Sequence, residues 1–244
     1  MIAGGMAYSV AELAALPAQA THSSGLGPID SLTMGGLPPG AIWTVVGPPA
    51  LGVTAVVIQA AVHAARTARV GIANGHMATH LLREQILAAA SLTETDRVAA
   101  DRIEIASWIP VPDFRCEETS WFGAAFDVLV IDCLDEMFHP RAWPEADSAI
   151  RAARWLREMA RRTNTALVLT GRAERMCSRG REAFESAWHR NWARPVFDDV
   201  ADLSIELWTD EHGDVAFHAS ARGHGHTGGN VHRRADRTLI LRAH

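Results

Sequence analysis

The sequence predicts an α/β fold with a mostly parallel central sheet that ends in antiparallel strands. Three observations predict it. Runs such as Ile42 to Val46 and Val128 to Ile131 are branched or apolar along nearly their whole length, as strands buried on both faces are. These runs alternate with longer helical patterns, which is how parallel strands are connected. Near the C-terminus, Leu203 to Leu207 and Val215 to Ala219 flank the turn residues Asp210-Glu211-His212-Gly213-Asp214, as in a hairpin.

Taken in order, Val10 to Leu16 reads as a short helix ended by Pro17, and Thr21-His22-Ser23-Ser24 as a polar linker. Residues 1–24 are thus expected to form an N-terminal extension and residues 25–244 a single domain. Gly35-Gly36-Leu37-Pro38-Pro39-Gly40 is a turn-rich lead into the strand Ala41 to Val46. Thr54 to Ala68 is an alanine-rich helix, Arg69 to Ala73 a second strand, and Thr79 to Ser91 an amphipathic helix with Leu82, Ile86 and Ala89 on one face. Ile103 to Ile105 is a short strand and Phe126 to Asp132 an apolar strand ending in an acid. Ala146 to Arg162 makes a long helix with Trp155, Leu156 and Met159 turned inward and its arginines toward solvent. Ala166 to Thr170 and Thr238 to Leu241 complete the strands, and no internal repeat is visible.

Composition narrows the function classes. At 244 residues, 48% hydrophobic and 21% charged, the chain can bury one substantial core. A net charge of −5 and a pI near 6.2 exclude a protein that coats nucleic acid by global charge, leaving only local arginine clusters for that purpose. Cys116, Cys133 and Cys177 form no C-x-x-C pair, which fits a reducing cytoplasm. No signal peptide or membrane span is expected. All 23 Lys+Arg residues are arginine, the mark of a G+C-rich genome.

The chemistry-bearing motif is Gly47-Pro48-Pro49-Ala50-Leu51-Gly52-Val53-Thr54, the frame of a phosphate-binding P-loop with Val53 in the lysine position. Its glycines let backbone N–H groups face phosphates at the start of a helix, and Thr54 keeps the hydroxyl that holds Mg²⁺. The missing ammonium is worth about 1.5–3 kcal/mol in binding. With no lysine in the chain, only an arginine can restore that charge.

Gly25 to Leu32, Gly35 to Gly40, the P-loop frame, Ile103-Glu104-Ile105, Val130-Ile131-Asp132 and Ala219 to Gly228 together resemble the RecA-like ATPase domain of DnaB-type replicative helicases, without that family's N-terminal domain. The resemblance implies a three-layer RecA-like P-loop fold, ATP and Mg²⁺ as cofactors, Mg²⁺ held by Thr54 and Asp132, and a link to DNA replication or recombination. It also implies that His76, in Ala73-Asn74-Gly75-His76-Met77, stands where the family has its catalytic glutamate. Leu169-Thr170-Gly171-Arg172 stands where the family has a glutamine that reads nucleotide state, with Arg172 as a partial substitute. Arg222 matches an arginine finger that reaches a neighbouring subunit, while Ser220 replaces the accompanying lysine. Arg172, Arg175, Arg179 and Arg181 match the loop that faces single-stranded DNA.

The expected function is therefore a DnaB-like RecA-fold protein with weak or no ATP hydrolysis. One alternative is a non-catalytic module that joins an active RecA-like partner, or further copies of itself, head to tail. The other is a P-loop ATPase with a rewired site, in which an arginine and His76 replace the missing pair. Two histidine pairs, His76 with His80 and His224 with His226, lack the further ligands a structural zinc site needs. Trp188 and Trp192 are expected to pack in the core or an interface.

Overall fold

The computed structural model describes residues 20–90, 93–107, 126–134, 146–173, 179–189, 194–233 and 239–243. The expected helix at Val10 to Leu16, together with Cys116, Cys177, Arg175 and Trp192, lies outside the described residues.

The first described helix, α1 (Gly27–Leu32), is followed by β1 (Ile42–Gly47), α2 (Val53–Ala64), β2 (Val70–Asn74), α3 (Thr79–Ala89), α4 (Glu94–Ala100), β3 (Glu104–Ser107) and β4 (Val128–Asp132). Then come α5 (Ala146–Thr163), β5 (Ala166–Arg172), α6 (Arg181–His189), α7 (Arg194–Val200) and the strands β6 (Leu203–Thr209), β7 (Val215–Ala221), β8 (Gly225–Arg233) and β9 (Leu239–Ala243). Among the described residues these strands form one nine-stranded sheet in the order β3-β2-β4-β5-β1-β6-β7-β8-β9. It is parallel from β3 to β6 and antiparallel from β6 to β9.

The sheet separates two apolar layers. Trp43, Val45, Ile72, Val130 and Ile205 face Ile29 of α1, Val56 and Val57 of α2, Leu82 and Ile86 of α3, and Ala99 of α4. Ile42, Val46, Leu129, Leu167 and Leu169 face Leu156 of α5, Phe184 and Trp188 of α6, and Phe197 of α7. A continuous apolar strand is what a sheet covered on both sides requires, and every residue of β1, β2 and β4 is buried. Trp188 packs edge-on against Phe197 with ring centroids 5.3 Å apart. On α5, Leu156 is buried and Trp155 and Met159 are partly buried, whereas Arg154, Arg161 and Arg162 are exposed.

Four features differ from the sequence reading. Thr21 to Ser24 is tied to the domain: His22 pairs with Leu37, and Asp30 accepts hydrogen bonds from Ser23 Oγ at 2.7 Å, Ser24 Oγ at 2.5 Å and the Ser24 N–H at 3.0 Å. The alanine-rich helix ends at Ala64, and a turn follows. Helices α6 and α7 form between β5 and β6, where the sequence marks only the arginine loop ending at Arg181, because Phe184, Ala187, Trp188, Val196, Phe197 and Val200 fall on their buried faces. Strand β8 begins Gly225-His226-Thr227-Gly228-Gly229-Asn230, where three glycines and Asn230 have low β-propensity, and exists through its ladders to β7 and β9.

Candidate functional site

Parallel strands deliver their following loops to one edge of the sheet, so the C-terminal ends of β1, β2, β4 and β5 meet there. The loop after β1 turns through Ala50 at φ 71° and Gly52 at φ 96°, and α2 starts at Val53 with no side chain capping its first turn. Those first-turn N–H groups carry the positive end of the helix dipole and suit an anion. Gly47 has no room for a side chain: a Cβ there would lie 3.0 Å from Val53 Cγ2 and 3.1 Å from Leu207 Cβ. Val53 itself joins the apolar layer under α2, so its side chain serves packing and supplies no charge.

A cavity of about 750 Å³ opens over this loop. Gly47 to Ala55 form one wall, and His76, Met77, Asp132, Thr170 and Arg172 also line it, with Leu81, Val215 and Val231 adding apolar surface. The volume suits a mononucleotide-sized ligand.

Four side chains converge at its floor. Asp132, at the end of β4, is 3% exposed and accepts hydrogen bonds at Oδ1 from Thr170 Oγ1 at 2.5 Å and from Thr54 Oγ1 at 3.4 Å. Its Oδ2 has no hydrogen-bond partner and lies 3.6 Å from His76 Nδ1, which is likewise without one. Burial pushes the Asp132 carboxyl above the ordinary carboxylate range, against the opposing pull of His76, the Thr170 and Thr54 hydroxyls and Arg172. A buried acid with one oxygen satisfied and the other bare fits a cation supplied by a ligand. The bare oxygen, the Thr54 hydroxyl and the uncapped helix start thus suit a metal-bound phosphate group.

Asn74, the last residue of β2, sets the position of His76. Its buried side chain donates to the Met77 carbonyl and accepts from the Met77 N–H at 3.1 Å and the His76 N–H at 3.4 Å, while the Gly75 N–H donates to the Asp132 carbonyl at 2.6 Å. Sequence reasoning singled out His76 but not Asn74, although an Asn two residues before it is a turn former. Thr170 was also legible only as a departure from a family position; its bond to Asp132 needs β4 and β5 side by side.

Of the remaining described residues, Arg172 reaches the cavity and Arg179, Arg181 and Arg222 do not line it. Arg172 is in register with Gly47 and lines the cavity. Arg222 follows β7 at the opposite edge of the sheet, where Ala221 pairs with Leu203 and Leu203 with Trp43, four residues and about 13 Å before Gly47 along β1. There the Arg222 N–H donates to the Asp202 carbonyl at 2.8 Å, and its guanidinium reaches the Asp199 carbonyl at 3.4 Å. The structure therefore does not bring Arg222 to its own chain's cavity. Arg179 lies over the β6–β7 turn, 3.1 Å from where a Cβ on Gly213 would be. Arg181 binds Glu185 at 2.8 Å and Glu206 at 3.7 Å and stacks over Trp208. Among the described residues, no three His, Cys, Asp or Glu side chains form a metal-holding group, and no helix is long and apolar enough to cross a membrane.

No protein-family model matches the chain, and no curated protein matches it. Among solved structures, it is similar to the crystal structure of a KaiC-like protein from the hyperthermophilic archaeon Pyrococcus horikoshii, with a TM-score of 0.65 over 92% of this chain and 99% of that one, at 14% identity. At that identity the likeness is one of fold. It agrees with the topology in giving the chain a RecA-like three-layer architecture with a mostly parallel sheet and terminal antiparallel strands.

Proposed function

We propose that this chain is a RecA-like nucleotide-binding protein that hydrolyses ATP slowly or not at all and acts as a subunit of a larger RecA-like assembly. The observation that carries the reading is the cavity over the P-loop frame, with Thr54, Thr170 and the half-satisfied Asp132 at its floor. Thr54 and Asp132 would hold the metal of a metal·nucleotide, and the start of α2 would hold its phosphates. The metal, when bound, neutralises phosphate charge. Arg172, the arginine in the cavity's lining, would take over part of the missing lysine's role.

Weak hydrolysis follows from the residues present. Val53 offers no ammonium, and a lost general base costs about 10²–10⁴ in rate. Arg222, at the opposite edge, suits a finger given to the next subunit in a head-to-tail contact. The likeness to DnaB-type helicases adds a link to DNA replication or recombination, with single-stranded DNA as a partner of Arg172, Arg175, Arg179 and Arg181. The ion pairs of Arg181 with Glu185 and Glu206 leave less charge for that partner, so the nucleotide reading takes precedence.

The test is calorimetric titration with ATP and ADP in Mg²⁺, followed by phosphate release. Micromolar binding with slow or no release is expected, some 10–150-fold weaker than with a lysine in place. No binding up to millimolar nucleotide would overturn the reading. Arg222→Ala is expected to leave this binding unchanged and to lower the ATPase of a partner subunit.

A further inference from the structure

We propose that the cavity takes its nucleotide together with a divalent transition metal that accepts nitrogen, held between His76 Nδ1 and Asp132 Oδ2 beside the Thr54 hydroxyl, in preference to Mg²⁺. This rests on the nucleotide reading above and specifies the metal of that same site.

The two facing atoms are the starting point. His76 Nδ1 and Asp132 Oδ2 are both buried, both lack a hydrogen-bond partner, and stand 3.6 Å apart. That separation is too long for a good hydrogen bond. It is close to the spacing of about 3.0–3.5 Å between two donors that share one ion at bonds of about 2.0–2.2 Å. The other oxygen of Asp132 is taken by Thr170 and Thr54, so the carboxylate is already oriented with Oδ2 toward the ring. The backbone that carries the ring is held too, because Asn74 accepts from the His76 and Met77 N–H groups. A prearranged ligand pair needs little reorganisation on binding.

The donor set then chooses the ion. Mg²⁺ favours an octahedron of oxygens and keeps several waters. Imidazole binds first-row transition ions more readily than Mg²⁺, and Mn²⁺, at the foot of their affinity order and nearest Mg²⁺ in its taste for oxygen, makes the most stringent comparison. With histidine in place of an acid, the site loses a negative oxygen and gains a neutral nitrogen. Among the described residues no third His, Cys, Asp or Glu converges on the pair, so phosphate oxygens are expected to complete the shell. Metal and nucleotide are therefore expected to bind together, each weak alone.

The experiment titrates the full chain with ADP in EDTA, in Mg²⁺ and in Mn²⁺, and records the electron-spin-echo modulation of the Mn²⁺·ADP complex. The expected result is at least tenfold tighter ADP binding in Mn²⁺ than in Mg²⁺, with ¹⁴N modulation from a bound imidazole. His76→Gln should abolish both the modulation and the difference between metals. His76→Glu should shift the preference back toward Mg²⁺, which a merely structural histidine would not do. Equal affinity in the two metals, or tight Mn²⁺ binding without ¹⁴N modulation, would overturn the metal inference and leave the nucleotide reading standing. No ADP binding in any of the three buffers would overturn both.

Discussion

The corner where α4 meets α2 and the C-terminal edge of the sheet each bury an aspartate, and they treat it in opposite ways. At the corner, Asp96 forms an ion pair with Arg66 at 2.7 Å and accepts the Thr93 hydroxyl at 2.7 Å, while its own N–H caps the helix by donating to Thr93 Oγ1 at 3.1 Å. Burial pushes its carboxyl up, but the bonds from Arg66 and Thr93 and the Arg66 charge outweigh that and hold it below the ordinary 3.8. At the sheet edge, Asp132 has hydroxyls on one oxygen and nothing bonded to the other, and burial wins. A fully satisfied acid stabilises the fold; a half-satisfied one next to a cavity marks a candidate binding site.

The largest expected effect breaks the first half of this comparison. Asp96→Ala should cost about 3 kcal/mol, since it leaves Arg66 unpaired and removes half of the Thr93 capping arrangement. Chemical denaturation would measure it. Because the folded-state pKa of Asp96 is depressed, its contribution is present above 3.8 and is lost as the pH falls through the lowered value. The variant and the parent should therefore converge in stability in strong acid, and nucleotide binding near neutral pH should be unaffected in the folded fraction.

Asp132→Asn should do the reverse. Thr170 can still donate to the amide oxygen, and a buried charge disappears, so stability near neutral pH should hold or rise. Metal·ADP affinity should fall about 30-fold, or roughly 2 kcal/mol, by calorimetry. Loss of fold stability comparable to that of Asp96→Ala would show that Asp132 is structural after all.

Val53→Lys sharpens the site from its other side. The ammonium it adds to the cradle should tighten ADP about tenfold, the lower end of a charged hydrogen bond's range. An unchanged affinity would show that Arg172 already supplies that charge.

Glu206 separates burial from function. It faces His218 at 3.8 Å and Arg181 at 3.7 Å, its Oε2 has no hydrogen bond, and burial pushes its carboxyl above 4.5, yet it does not line the cavity. A raised folded-state pKa means that its favourable contribution is present below 4.5 and is lost as the pH rises through the raised value. Glu206→Gln should thus raise stability near neutral pH and change nothing near pH 4, by thermal melts across that range. Nucleotide binding should not change.

Sequence patterning made the parallel half of the molecule legible because its signals are local. Apolar runs mark β1, β4 and β5, and glycine spacing marks the turn into α2. What escaped depends on distant partners. Strand β8 has no pattern of its own, and α4, α6 and α7 are short helices inside polar stretches. The sequence singled out His76 and Asp132 separately, but their facing atoms meet only because β2 and β4 are neighbours with Asn74 opposite Asp132.

The cavity and Arg222 lie at opposite edges of one sheet, which makes the molecule directional. If copies join through these two ends, each subunit has a head and a tail, and growth proceeds with a fixed sense. A variant damaged at only one end would then act as a terminator: it would add to one end of a growing assembly and refuse the next subunit. Mixed at low proportion with the parent, Arg222→Ala would stop such an assembly from one direction only.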